Sequence, residues 1–204
     1  MKKLKNVNVI GYVILISIIL VLTYLMHLDK KDEKTNIVYL DNELHYWETK
    51  AKIIKEITLF MNNKVPIHNI SPILIVKYSD KYDVDIRMFL TQGLLESHYG
   101  TKGLARKTHS VCNVGAWDDG TITHRYDHPN ESIEPYFKLI KEQYLVDKTE
   151  EGLLKNFVNV EGNRYASYPY YERELTEYWN NINNITKLDS LIEVYRYYKI
   201  ELNR

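Results

Sequence analysis

Gln92-Gly-Leu-Leu-Glu-Ser-His-Tyr-Gly100 is the stretch on which the reading of this chain turns. Asp83 or Asp85 can cap a helix that carries Met88, Phe89, Gln92, Leu95 and Glu96, and Gly100 and Gly103 are placed to end it. Glu96 is set among Leu90, Gly93, Leu94 and Leu95. Steps of three and four residues put Phe89, Gln92, Gly93 and Gly100 on its helical face. Gly93 and Gly100 are therefore expected to open space beside the carboxyl, which a polymer could fill. A carboxyl against an apolar wall is harder to ionise. A glycosidase acid needs that property to stay protonated near neutral pH. The same spacing also fits an ordinary solvated glutamate with the two glycines as caps.

Working outward, Ser71-Pro72 predicts a helix start, with Ser as cap and Pro in the first turn, running to about Lys81. Before it, Leu40, Leu44, Trp47, Ala51, Ile54, Ile57 and Phe60 form an amphipathic stripe that predicts a helix over 39–63. Val65-Pro66 ends it. After Glu96, the alternation in Thr121-Ile-Thr-His-Arg-Tyr126 suggests a small hairpin around Asp118-Asp-Gly120. Further helices are expected at 130–147, 149–157, 168–184 and 187–200. The class is mainly α with a small β element.

The N-terminal run from Val9 to Met26, VIGYVILISIILVLTYLM, carries no charge and has about the length needed to span a bilayer core. Lys2, Lys3 and Lys5 precede it and favour an N-in orientation. No Ala-x-Ala pattern follows, so an uncleaved anchor is the reading adopted over a signal peptide. The expected organisation is a cytoplasmic N-terminus at 1–8, a transmembrane anchor at 9–26, a linker and amphipathic helix at 27–64, and the main domain at 65–204. The expected localisation is a single-pass membrane protein with that domain outside.

In 204 residues, 27 Lys and Arg balance 27 Asp and Glu, and a nucleic-acid protein would normally show a basic excess. One cysteine, Cys112, rules out an intrachain disulfide and reads as a small buried residue. The 18 tyrosines suit a sugar-binding groove, since their rings cover apolar sugar faces while the hydroxyls bond. His98, His109, His124 and His128 lack zinc-site spacing. No metal or cofactor is expected.

Residues 96–117, from Glu-Ser-His-Tyr-Gly through Cys112-Asn-Val-Gly115 to Trp117, resemble the core of bacterial glucosaminidase domains (glycoside hydrolase family 73 and relatives). Two later blocks resemble the same family in order and rough spacing: Arg125-Tyr-Asp-His-Pro-Asn-Glu-Ser-Ile133 and Arg164-Tyr-Ala-Ser-Tyr-Pro-Tyr-Tyr171. The resemblance covers about 72–184. It implies a lysozyme-like fold, an α-domain with a small β-lobe flanking a groove, and cleavage of peptidoglycan glycan strands at β-1,4 bonds.

Carried over, the family's catalytic acid falls on Glu96, and its late-block tyrosine on Tyr165, lining the groove near the scissile bond. Asn113 would help hold the substrate or its loop, or else be a turn residue. Trp117, Gln92, Tyr99 and Tyr168 are the further expected substrate contacts. The sequence departs from the family at the second carboxylate. The segment from Trp117 to Arg125 is short and holds no Glu, which leaves Asp118 and Asp119, or a hairpin turn at Asp119-Gly120. Without such a partner, Tyr165 could place a water, the substrate N-acetyl group could assist, or Glu96 could act alone as in a transglycosylase. Glu131, at a helix start, reads as structural. A glycan-binding module without activity and a phage lysis protein of the same fold are the alternative readings.

Overall fold

A computed structural model describes the backbone of residues 4–117 and 120–204, and the side chains of 19–24, 26, 35–117 and 120–204. The first helix, α1, spans Leu4–Lys64. Between Gly11 and Pro66 the sequence has neither Gly nor Pro, so nothing in it breaks the helix. Residues 27–37, expected as a linker, continue that helix; they are mostly Lys, Asp and Glu, which tolerate helical backbone well. Among the described residues, no helix is long and apolar enough to cross a membrane. Much of the run at 9–26 lies outside the described side chains.

Contacts divide the chain into two units. One comprises Met1–Glu48 and Arg196–Arg204. Within it His45 lies between the carboxylates of Asp41 and Glu48 and stacks on Tyr198, with centroids 5.3 Å apart.

The second unit, Thr49–Tyr195, holds Glu96 and the three sequence blocks described above. Its helices are the end of α1, α2 (Pro72–Tyr82), α3 (Ile86–Ser97), α4 (Ala105–Thr108), α5 (Ile133–Leu139), α6 (Glu150–Lys155), α7 (Tyr171–Ile185) and the start of α8 (Leu188–Leu202). A 3-10 turn at Pro129–Ser132 and a π turn at Ile140–Tyr144 flank α5, where a single helix over 130–147 was expected. Helix α3 is buried along almost its whole length. Phe89 on α3 meets Tyr136 and Phe137 of α5 at 5.3 and 5.7 Å between centroids.

Helices α3 and α7 run antiparallel. Near the start of α3, Arg87 donates to Asn183 Oδ1 near the end of α7 (2.9 Å), and at the far end of α3 Glu96 bonds to Tyr171, the first residue of α7. Asp85 caps α3 by accepting from the Arg87 backbone N–H, 2.9 Å. The Arg87 guanidinium then lies over Trp179 of α7, 4.3 Å from the ring centroid.

The small β-lobe is reduced to isolated bridges among the described residues. Ala116 pairs antiparallel with Ile122, supported by Trp117 N–H on Thr121 O (3.0 Å) and Thr123 N–H on Gly115 O (2.7 Å). A second bridge, not expected, joins Val158 and Arg164. Two short arms with no third strand to extend them cannot sustain a ladder. Gly115 sits at φ +77°, and a Cβ there would lie 2.4 Å from His124 Nδ1, so this corner needs glycine.

Candidate active site

The two Glu-Ser pairs do their first work on the backbone. Ser97 Oγ donates to Val111 O (2.6 Å) and accepts from the Gly100 N–H (2.7 Å). Ser132 Oγ accepts from the Val111 N–H at 3.1 Å and donates to Pro129 O. Val111 is thus tied at both backbone groups, once from the end of α3 and once from the start of α5. Two residues on, Asn113 adopts a left-handed backbone (φ +53°), a conformation that Asn tolerates better than most side chains. The clamp and this turn deliver Asn113 to Glu96: its Nδ2 donates to Glu96 Oε2 at 2.8 Å.

The other oxygen of Glu96 is held by a residue that the sequence did not single out. Tyr171 O–H donates to Glu96 Oε1 at 2.6 Å. Behind it, Gln92 Nε2 donates to the Tyr171 oxygen (2.8 Å), and Tyr136 O–H donates to Gln92 Oε1 in a short hydrogen bond. The direction of this chain follows from its parts. Tyr136 can only donate to the carbonyl end of Gln92, so the amide presents N–H to Tyr171, and Tyr171 must give its own proton to Glu96. Burial, and then the Glu96 charge, push the Tyr171 phenol well above its usual range, so it stays a donor.

Tyr165 stacks on Tyr171 with centroids 6.0 Å apart and planes 13° from parallel. Its hydroxyl donates to the Cys112 carbonyl in a short bond, so Tyr165 fastens the Asn113 loop. Cys112 is buried, and burial followed by the Glu96 charge pushes its thiol well above the usual range. That makes it a packing residue, not a nucleophile.

A cleft of about 440 Å³ opens beside this constellation, with Asn113, Trp117, Tyr144, Glu161, Arg164 and Tyr165 among its walls. Trp117 is 64% exposed and so available to a ligand's apolar face. Glu161, which the sequence reading passed over, is a carboxylate on the cleft wall, held by Asn163 Nδ2 at 3.1 Å. A larger hollow of about 880 Å³, lined by His68, His98, His109 and His128, does not include Glu96 or Asn113. Glu96 lines neither hollow, but its partner Asn113 is a wall of the smaller cleft, which ties that cleft to the carboxyl.

Several expected contacts lie elsewhere. Gln92 is fully buried, both ends of its amide spent on tyrosines, so it braces Tyr171 and does not face the cleft. Tyr99 is also buried, with its hydroxyl on Leu90 O (2.9 Å). The helix ends at Ser97, and His98 and Tyr99 turn left-handed (φ 47° and 54°), which swings the Tyr99 ring back under α3. There it fills the space beside Gly93: a Cβ on Gly93 would lie 3.0 Å from the Tyr99 ring and 3.2 Å from Val111. Gly93 is therefore a packing glycine and opens no room for a polymer. Tyr168 is exposed, donates to Glu174 Oε1 (2.8 Å) and is not a wall of the cleft. Asp118 and Asp119 lie outside the described residues. Glu131 accepts from the Asp127 N–H at the turn before α5, a backbone role.

A family profile described as mannosyl-glycoprotein endo-beta-N-acetylglucosaminidase matches residues 73–184, more than half of the chain. The chain belongs to the glucosaminidase family. No curated protein matches it. Membership gives the coarse activity, a peptidoglycan-directed glycosidase. The matched span begins at α2 and ends with α7, so it contains the whole constellation around Glu96.

Proposed function

We propose that this glucosaminidase domain cleaves the β-1,4 bond that follows N-acetylglucosamine in peptidoglycan glycan strands, with Glu96 as general acid. The observation that carries this reading is the hold on Glu96. Both carboxyl oxygens are engaged by neutral groups, Tyr171 and Asn113, and Asn113 is also a wall of the cleft. Neither of these two donors carries a charge that would lock the carboxyl as an anion, so it can carry a proton or give it up, as an acid in turnover must. In the cleavage step the Glu96 O–H bond breaks and its proton passes to the glycosidic oxygen as the C1–O bond breaks. The leaving sugar departs as an alcohol. Water then adds to C1 and its spare proton returns to the enzyme. The second carboxylate of the family scheme falls to Asp118, Asp119 or the cleft residue Glu161. If none serves, the substrate's N-acetyl group can assist at C1.

The product identifies the bond. Mass spectrometry of glycan released from purified cell walls by the protein is expected to show new reducing ends on N-acetylglucosamine. Reducing N-acetylmuramic acid would place the cut at the other bond, and anhydro-muramic ends would mean that Glu96 acts alone in a transglycosylase reaction. Either result overturns the glucosaminidase assignment.

The apolar run 9–26, with Lys2, Lys3 and Lys5 before it, supports an anchor that holds this domain on the wall side of a membrane. The full chain is then expected to stay in the membrane fraction after an alkaline carbonate wash, and release into the supernatant would refute the anchor.

A further inference from the structure

The larger hollow, of about 880 Å³, has no part in the bond cleavage, yet its walls are strongly biased in charge. Lys64, Lys102 and Arg106 line it against a single carboxylate, Asp127. The chain as a whole balances 27 Lys and Arg against 27 Asp and Glu, so this is a local excess of cations. All three cations are exposed. Lys102 and Arg106 make no side-chain hydrogen bond or ion pair among the described residues. Lys64 rests over the Phe60 ring, 5.9 Å from its centroid, and has no carboxylate partner among them. Burial lowers the pKa of His68, and burial and then Lys102 lower that of His98. Those two rings are therefore neutral at neutral pH, and the lysines and the arginine set the sign of the hollow. Another part of its wall is apolar, built from Pro66, Ile67 and Pro129, with Ile67 85% exposed.

The same two stretches of chain line both this hollow and the cleft beside Glu96. His109 lines the hollow and Asn113 the cleft; Asp127 lines the hollow and His124 the cleft. The stretches are tied together by the Tyr126 N–H on Thr108 O (2.9 Å) and by His109 Nδ1 on Tyr126 O (2.8 Å). Four residues separate His109 from Asn113, so their Cα atoms are at most about 15 Å apart. An extended peptide of four or five residues spans about 13–18 Å. A peptide attached to a sugar in the cleft is therefore long enough to reach the hollow.

Peptidoglycan carries such a peptide on alternate sugars, with alanine methyls and free carboxylates along it. We propose that the hollow walled by Lys64, Lys102, Arg106 and Ile67 is a subsite for the acidic stem peptide of the glycan strand held in the cleft. The cations meet its carboxylates in charge-assisted hydrogen bonds, and the Pro66–Ile67 side covers its methyls. A phosphodiester polymer would use the cations but leave that apolar side without a partner. Exposed ion pairs are individually weak. They suffice here because the glycan already holds the peptide close, which makes the second contact intramolecular. This inference rests on the peptidoglycan reading of the cleft.

The test reverses two exposed charges that lie away from Glu96, in the variant Lys102→Glu with Arg106→Glu. The full chain in neutral detergent is assayed on walls freed of phosphodiester polymers. One portion keeps its stem carboxyls and another has them capped as methylamides. On the charged walls the double variant is expected to raise KM by about tenfold at low salt, a few-fold for each charge, with kcat unchanged. On the capped walls KM should move by no more than about twofold, and high salt should close the difference on the charged ones. An equal rise on both walls would mean a general attraction to the wall, and no rise on either would mean an idle hollow. A rise seen only on walls that retain phosphodiester polymers would make those polymers the ligand. Each of these three results overturns the proposal. Thermal melting checks the fold, and Lys102→Gln with Arg106→Gln, expected to cost about threefold on the charged walls alone, replaces the reversal if it unfolds the domain. Cosedimentation with the two walls reads binding without turnover. A protein that cuts no glycan yet binds charged walls through Lys102 and Arg106 loses the glycosidase reading and keeps the subsite. One that cuts both walls with no dependence on these charges loses only the subsite.

Discussion

Glu96→Gln is expected to lower glycan cleavage by about 10²–10⁴-fold, the span a positioned general acid contributes, while the domain melts close to wild type. The substitution keeps the length and one acceptor of the side chain. Tyr171 can still donate to the remaining carbonyl oxygen, so the chain from Tyr136 through Gln92 keeps its direction. The new –NH₂ takes the place of Oε2 and faces Asn113, whose Oδ1 is without a donor and can turn to accept from it. The variant therefore keeps its neighbours but has no acidic proton to give. Turbidity clearance of purified cell walls measures the loss, and thermal melting in parallel separates chemistry from folding. Clearance at the wild-type rate by a folded variant would take Glu96 out of the reaction. A glycan-binding module without activity predicts no clearance by either protein, but unchanged sedimentation with the walls.

The helical class, the helix that carries Glu96 and the family itself are legible in the sequence, because each rests on local signals. Asp85 as cap, Ser71-Pro72 as helix start and three blocks in order are all short-range patterns. The errors come where the chain stops being local. Counting helical positions past Ser97 places Gly100 beside Glu96, but the helix has ended and two left-handed residues have turned the chain away. The same turn sends Tyr99 into the gap at Gly93, so an apparent opening is a filled one. The late block holds both Tyr165 and Tyr171. Resemblance directs attention to the first, yet only the start of α7 against the end of α3 decides which hydroxyl reaches the carboxyl. A signal for Tyr171 did exist: Gln92 lies one helical turn before Glu96, and a buried amide there needs polar partners. Tyr136 has no such signal, since nothing in the order of residues brings α5 beneath Gln92. Charged residues at 27–37 read as a linker by composition, but composition without Gly or Pro does not stop a helix.

Arg87→Met is expected to destabilise the Thr49–Tyr195 unit by about 3–5 kcal/mol, the cost of leaving one partner of a buried ion pair alone. Arg87 is 6% exposed and Asp85 is 4% exposed. They meet through two parallel bonds, Nε to Oδ1 at 2.9 Å and the second guanidinium nitrogen to Oδ2 at 2.8 Å. Burial works against the guanidinium charge, but Asp85 and Asp189 outweigh it and raise the Arg87 pKa, so the cation stays charged at any working pH. Met fills much of the same volume over Trp179, so the packing loss is small and the stranded Asp85 charge dominates. At roughly 2–4 °C per kcal/mol for a domain of this size, the midpoint should fall by about 6–20 °C. Adding Asp85→Asn to Arg87→Met removes the stranded charge while keeping a helix cap, and should recover part of the loss. A single variant that melts within a degree of wild type, or a double variant worse than the sum of its parts, would refute the account. The consequence reaches the Glu96 end of α3 through geometry. Arg87 ties the start of α3 to Asn183 of α7 and Asp189 of α8, and the antiparallel packing of α3 on α7 is what sets Glu96 opposite Tyr171. Slack at the Arg87 end lets the helices slide, and a hydrogen bond of 2.6 Å tolerates little sliding. Activity should therefore fall below wild type at temperatures where the variant is still folded. A stabilising role confined to the Arg87 end would leave that activity untouched.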